Sequence, residues 1–408
     1  MIKRTLGLGS LVAFCATILS LQVSVCDTRP ALKEQEHWTM QLETRLGSVD
    51  GDDAFSLLIG ARFGPANSIY VLQPLDANVR VHDLATGERR VIGRRGFGPG
   101  EFVETTALGW YGPNLWVVDA QQGRISWFDA FGTLIRTTTP RRSIPEGYVA
   151  VPRIVAPLSN DMMLLDMLAH VLPGNAGSPF KRFAVSDTAG MITHELFRLA
   201  NTHSRLAVMN PRLPGRGLFA RQPFGDDPLM SVDPAGEFIA VVDRPVAVDE
   251  RLGAYSVTRY APNGDTVWSV QRSYRPVPLG QNTVDAFSND FVESVLKARG
   301  PGIRSRSEAE VAVKAALYRP RFLPPVSNVL VGSDGRIWVQ RNHGDTDSSR
   351  WDVFSPEGKL LGEVSGPAGI TLLDSRDNRV LGVTKGAFDE PYMEVHRLVE
   401  RSRSDASN

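Results

Sequence analysis

The feature that most constrains this chain is a repeated unit of short apolar strands separated by turn residues. Six such strands recur in order: SIYVLQ (68–73), NLWVVDA (114–120), MMLLDML (162–168), EFIAVVD (237–243), RIWVQR (336–341) and RVLGVTK (379–385). Five are followed by a strand that ends in a hairpin: VRVHDLATGE, ISWFDAFGT, RFAVSDTAG, VTRYAPNGD and WDVFSPEGK. Glycine at the second corner supplies the positive φ that tight hairpins need. A further strand follows each hairpin, and each unit opens on a run ahead of its apolar strand, such as SLLIGARF, TTALGWY and ITLLDS. Four strands, six times, predict an all-β, six-bladed β-propeller.

The spacing supports that count. From Gly87 to Gly132 is 45 residues, inside the ~40–50 range of a four-stranded blade. The later steps to Gly190, Gly264 and Gly358 are 58, 74 and 94 residues, the same unit with insertions. The last unit has three strands and then the polar tail at 401–408. HWTMQLETRLG (37–47) is therefore expected to serve as its outer strand, closing one domain over residues 37–400 and removing exposed sheet edges. Residues 283–318 depart from the β pattern. Val284, Phe287, Phe291 and Leu296 fall near helical spacing, SEAEVAVKAALY does likewise, and Gly300-Pro301-Gly302 separates the two. A helical hairpin inserted between blades four and five is expected.

The N-terminus reads as a targeting segment. Lys3 and Arg4 precede the apolar run LGLGSLVAFCATILSLQVSV, which meets Cys26 and a polar stretch. This order predicts a secretory signal over 1–26, with a single membrane-spanning anchor as the alternative. Val23-Ser24-Val25-Cys26 resembles a bacterial lipobox, so Cys26 is either a lipidation site or a residue beside a simple cleavage point. The other cysteine, Cys15, lies inside the run, so the exported part is expected to have no internal disulfide. The expected location is the periplasm or cell envelope. Lys plus Arg equal Asp plus Glu at 45 each. That balance argues against nucleic acid as a partner and leaves membrane contact to the N-terminal signal or lipid.

The motifs GFGPGEF, DGRIWVQ and WDVFSPEGKLLGEV resemble those of NHL/TolB-like six-bladed propellers of exported bacterial proteins, among them lipoproteins. The resemblance spans roughly residues 40–400. It implies a fold and a blade-linking role for the glycine-rich turn, but no activity.

GRRGFGPGEF (93–102) is also the chain's one phosphate-loop candidate. Its glycines fit neither G-x-G-x-x-G nor G-x-x-x-x-G-K-[ST], and Pro99 removes an amide donor. It is read as the crossing from blade one to blade two. Function is expected on one face. Turns joining first to second and third to fourth strands are short, whereas the long segments fall among second-to-third connections and crossings between blades. Those segments place Arg94, Arg95, Arg141, Arg142, Arg244, Arg341 and His343 among Asp119, Asp243, Asp345 and Asp389. Arginine forks bind carboxylates and phosphates, so an anionic small molecule or an acidic peptide is the expected ligand, and mutual ion pairing on the rim is the alternative.

An envelope binding or scaffold protein is thus the favoured function, with a metal-dependent, lactonase-like hydrolase or lyase as the alternative. No cofactor is expected, calcium being the one divalent ion considered. Its inner-strand candidates are Asp233, Asn328, Asp334 and Asp374, most of them in turn sequences where aspartate is common. The seven histidines fall in outer strands and loops, which disfavours a histidine-rich zinc site.

Overall fold

The structure is a computed structural model that describes residues 36–141, 151–167, 180–203, 205–209, 217–298, 302–303, 305–343 and 347–400. The expected signal with Cys26, and also Arg142, Asp345 and the 401–408 tail, lie outside the described residues.

Four antiparallel four-stranded meanders stand as separate sheets. They are β2–β5 (Ala61–Phe63, Ser68–Gln73, Asn78–Asp83, Arg89–Ile92), β6–β9 (Thr105–Tyr111, Asn114–Asp119, Arg124–Phe128, Leu134–Thr138), β10–β13 (Arg153–Leu158, Met162–Asp166, Phe180–Asp187, Ile192–Ala200) and β16–β19 (Leu229–Val232, Ile239–Asp243, Gly253–Tyr260, Thr266–Tyr274). Eight further strands form one sheet where the sequence predicts two blades. In it, β20–β23 (Val326–Val331, Ile337–Arg341, Ser348–Phe354, Leu360–Pro367) and β24–β26 (Thr371–Arg376, Arg379–Lys385, Pro391–Glu400) flank β1 (Glu36–Leu46). The physical reason is β1. It pairs antiparallel with β26 from Trp38↔Glu400 to Leu46↔Met393, and its first residues also pair parallel with β23 from Glu36↔Gly362 to Thr39↔Ser365. Charged bonds reinforce the β1–β26 seam: Arg45 Nε donates to Glu394 Oε1 at 2.9 Å, and Arg397 Nε to Glu43 Oε1 at 2.5 Å.

Second strands are buried on both faces, as continuous apolar runs must be. Each contributes to core clusters shared by consecutive units. Among the described residues one such cluster lies at every step of the chain-order series. The series ends where Leu381, Met393 and Val395 pack against Ala61, Phe63, Ile69 and Val71 of the first meander. The five hairpin glycines all take φ between +76° and +91°. Three also seat a turn against the outer strand of the preceding unit. A Cβ would fall 2.8 Å from Ile92 at Gly132, 3.1 Å from Leu196 at Gly264 and 2.7 Å from Trp268 at Gly358. The result is a mostly β, propeller-like arrangement.

Two helices, α1 (Gln281–Lys297) and α2 (Arg306–Ala316), lie between β19 and β20 in the chain. Ser305 caps α2 by accepting a hydrogen bond from the Glu308 amide at 3.1 Å. The helices do not pack alone. They share a core with the hairpin β14–β15 (Arg205–Met209, Gly217–Arg221), in which Leu206 and Val208 meet Phe291, Val295 and Val313. That hairpin falls in a stretch the sequence reads only as a crossing.

Candidate functional site

Connections segregate to two sides. First-to-second turns of different units touch one another: Arg376 Nη1 donates to Gly64 O at 2.8 Å, and Ser159 N to Gly236 O at 2.9 Å. The long connections make a second set of contacts. Arg95 Nη2 donates to Leu75 O at 2.6 Å, Gln122 Nε2 to Gly96 O at 3.2 Å, and Asn342 Nδ2 to Pro324 O at 2.8 Å.

The crossing 93–104 belongs to the second set and is tightly organised. Phe102 is fully buried, and a Cβ on Gly93 (φ +76°) would stand 2.3 Å from its ring. Gly96 N donates to Phe102 O, Phe102 N to Arg94 O, and Gly98 N to Glu101 Oε2, at 2.8–3.0 Å. The amides that would cradle a phosphate are therefore bonded within the loop. Arg124, 9% exposed, donates from Nη1 to Phe97 O and from Nη2 to Gly98 O and Glu101 O. This lattice holds Phe97 at the loop's tip, where its ring is 75% exposed. Leu75, Leu57 and Ile59, on neighbouring connections, are exposed as well.

The structure does not gather the charged residues read from the sequence into one site. Arg94 and Arg95 flank the crossing and are exposed, Arg94 with its Nε 2.8 Å from Glu101 Oε1. Asp119 is fully buried. Its carboxylate accepts from the amides of Val103, Glu104 and Gln122, which explains an aspartate at that strand end without a ligand. Arg141 lies in a separate pocket of about 240 Å³, its amide bonded to Ala189 O in the β12–β13 turn rather than to the crossing with Arg94 and Arg95. Asp243 is exposed, whereas Arg244 is buried and donates to Asp227 O and Val326 O, both at 2.8 Å. Burial, with Arg221 nearby, lowers its pKa to about 10. Arg341 joins a buried cluster between β16–β19 and β20–β23. Its Nη2 is 2.8 Å from Glu363 Oε2 and its Nε 3.3 Å from Asp352 Oδ1, while Arg272 and the Tyr255 hydroxyl reach Asp352 from the other sheet. Burial, with Asp352 alongside, pushes the Tyr255 pKa up. His343 is half-buried in the β21–β22 connection, and Asp389 pairs with Lys385 at 3.3 Å.

The inner carboxylates considered for calcium are held by turns. Asp374, fully buried, accepts from Phe63 N, Ser333 N and the Ser333 hydroxyl, each at 2.8 Å. Asp334 accepts from the Ser375 hydroxyl at 2.9 Å, and Asp233 from Glu237 N at 3.1 Å. Asn328 accepts from Val329 N at 3.0 Å. Among the described residues no three His, Cys, Asp or Glu side chains are grouped to hold an ion.

One further feature was missed in the sequence. First strands β2, β6, β10, β16, β20 and β24 all line a single cavity of about 460 Å³. Its wall mixes apolar side chains such as Leu108, Val155 and Leu330 with the polar Arg62, Thr106, Ser231, Asn328 and Thr371. At the end away from the long connections, Trp116 Nε1 donates to Pro234 O at 2.9 Å, joining sheets β6–β9 and β16–β19. The available signal was Arg62, an arginine inside the otherwise apolar run SLLIGARF.

No family model matches the chain, and no curated protein matches it. Among solved structures it is similar to a calcium-binding regucalcin of Agrobacterium tumefaciens, at 12% identity over 90% of this chain and 97% of that one, with a TM-score of 0.39. It is also similar to a putative exported protein of Bacteroides fragilis (10% identity, 89% and 99% covered, TM-score 0.43). A third is a PQQ-bound aldose sugar dehydrogenase of Streptomyces coelicolor (11%, 89% and 98%, TM-score 0.40). Likeness at this level extends to no residue of the site, and no helix among the described residues is long and apolar enough to cross a membrane.

Proposed function

We propose that this chain is an exported binding or scaffold protein of the cell envelope, a six-bladed propeller of the NHL/TolB-like kind that engages a partner protein through its loop-bearing side. The six-blade count is supported by the cyclic series of core clusters and by the six first strands around one cavity, with β1 fusing two blades at their outer edges. The helical pair then belongs between blades four and five, and Cys26 is the lipidation or cleavage point.

The observation that carries the reading is the crossing 93–104. Rigid hydrogen bonding holds a phenylalanine out in water, and large aromatics on rigid loops are common anchors of protein interfaces. Arg94 and Arg95 flank it, so the fitting partner surface offers an apolar pocket rimmed by carboxylates. The alternative, a metal-dependent hydrolase or lyase, has no specific observation in its favour, because its candidate carboxylates are engaged by turn amides and hydroxyls.

Site-specific photocrosslinking tests this. A crosslinker at position 97 should capture a discrete envelope protein. One at Tyr111, exposed at the first-to-second turn between β6 and β7, should not. Identical adducts at both positions, or none at 97, would sink the reading.

A further inference from the structure

The hairpin β14–β15 is the one two-stranded sheet among the described residues, and its two faces differ sharply. Leu206 and Val208 are buried against the helices, whereas Arg205, Met209, Phe219 and Arg221 are exposed on the other face. Arg205 stands directly opposite Arg221, and Ala207 opposite Phe219. Like charges in such a cross-strand pair repel. The Arg205 guanidinium lies 3.9 Å from the centre of the Phe219 ring, and among the described residues neither arginine has a carboxylate partner. The sequence shows the same imbalance: residues 204–225 hold four arginines and no acid, in a chain whose charges balance overall. Asp226 and Asp227, which follow, are engaged by His203 and Thr202.

We propose that this hairpin docks an extended acidic segment of a partner protein, added as a third strand along β15. Among the described residues no strand pairs with the outer edge of β15, whereas α2 lies against β14. That edge offers main-chain N–H and C=O groups to an incoming strand. The two arginines supply charge that a carboxylate would offset. Phe219 and Met209 supply apolar contact, which an edge charged only to prevent self-pairing would not need. Side chains on a strand alternate with period two. A strand that faces Arg221 and Phe219 therefore needs an acid and an apolar residue two positions apart. A lipid head group could meet the arginines but has no backbone to pair with the edge.

The test is fluorescence anisotropy of a short labelled peptide, threonine alternating with glutamate, leucine and glutamate, titrated with the full chain. The peptide is expected to bind. Its glutamine counterpart should bind at least about tenfold more weakly, in line with loss of a charged hydrogen bond. A shuffled peptide that puts the acids and the leucine on opposite faces should also bind more weakly than the original. Arg221→Gln should weaken the peptide at least about tenfold. Should that variant fail to fold, Phe219→Ser carries the test through the apolar contact. Amide exchange across 217–221 should slow in the complex, the mark of strand pairing that a purely charged contact would not leave. The docking site is overturned if the wild type does not bind the peptide, or if the glutamine or shuffled peptide binds as well. It is equally overturned if the folded variants bind like the wild type, or if those amides gain no protection. Weaker attachment of Arg221→Gln to phosphatidylglycerol vesicles, with peptide affinity unchanged, would make the hairpin a lipid contact instead. The probe is a defined peptide, so the result is independent of whether position 97 captures a partner.

Discussion

Asp233 offers a sharp test of how the β16–β17 turn is built. The side chain is 6% exposed and accepts a hydrogen bond from the Glu237 amide, yet burial, as the largest influence, pushes its pKa up from 3.8 to about 6. An acid whose folded pKa is raised binds more protons in the native state than in the unfolded chain between those two values. Stability is then greatest below pH 4, falls as the pH rises towards 6, and is flat above. At about 1.4 kcal/mol per pH unit, the ionised group costs the folded protein about 3 kcal/mol at neutral pH. Asp233→Asn keeps an acceptor oxygen and removes the charge. In urea titrations at pH 4.5 and 7.5 the variant should lose most of the wild-type decline and gain up to about 3 kcal/mol at pH 7.5. A variant with the wild-type decline, or one less stable than wild type at pH 7.5, would refute the assignment. A loss that appears only when calcium is supplied would instead make Asp233 a ligand.

Other outcomes follow from the same contacts. Arg124→Ala strands three carbonyls of the crossing, so it should cost about 2–4 kcal/mol and accelerate amide exchange at Gly96, Gly98 and Phe102, seen by hydrogen–deuterium exchange. Gly358→Val meets both a φ of +87° and the Trp268 ring, and should lower stability by at least about 2 kcal/mol in urea titration. Deleting residues 36–46 exposes the edges of β23 and β26 together and should replace cooperative unfolding with aggregation, followed by light scattering.

Local rules made much of the fold readable. The apolar strands from 68–73 to 379–385 and the hairpin glycines follow from backbone preference and burial on both faces, and these survive in the structure. What was not legible depended on distant partners. Nothing near residues 36–39 announces a parallel pairing with β23, because that contact arises only when two finished units stand side by side. The β14–β15 hairpin escaped because its apolar partners, Val295 and Val313, come from helices far along the chain. The charged residues failed for a related reason. Arg244 and Arg341 look like rim arginines by position, but Arg244 donates to Val326 O of the next unit, and Arg341 shares Asp352 with Arg272 and Tyr255 of the preceding unit. Arg62 was the converse, a charge hidden in an apolar run and meaningful only beside the other first strands.

The β1–β26 seam has a kinetic consequence. Its partners are about 350 residues apart, so the strand synthesised first is the one paired last. Bringing such distant segments together costs about 5 kcal/mol of chain entropy before any contact rewards it. Until β26 exists, an eleven-residue strand with apolar Trp38, Met40 and Leu42 has no native partner, and the edge of β23 is uncovered with it. The units in between can form from local hairpins while the ends wait. The slow and aggregation-exposed step of folding is therefore the meeting of the two termini. Mutations in Glu43, Arg45 or Glu394 should be felt in how fast the chain completes itself as well as in how stable it is afterwards.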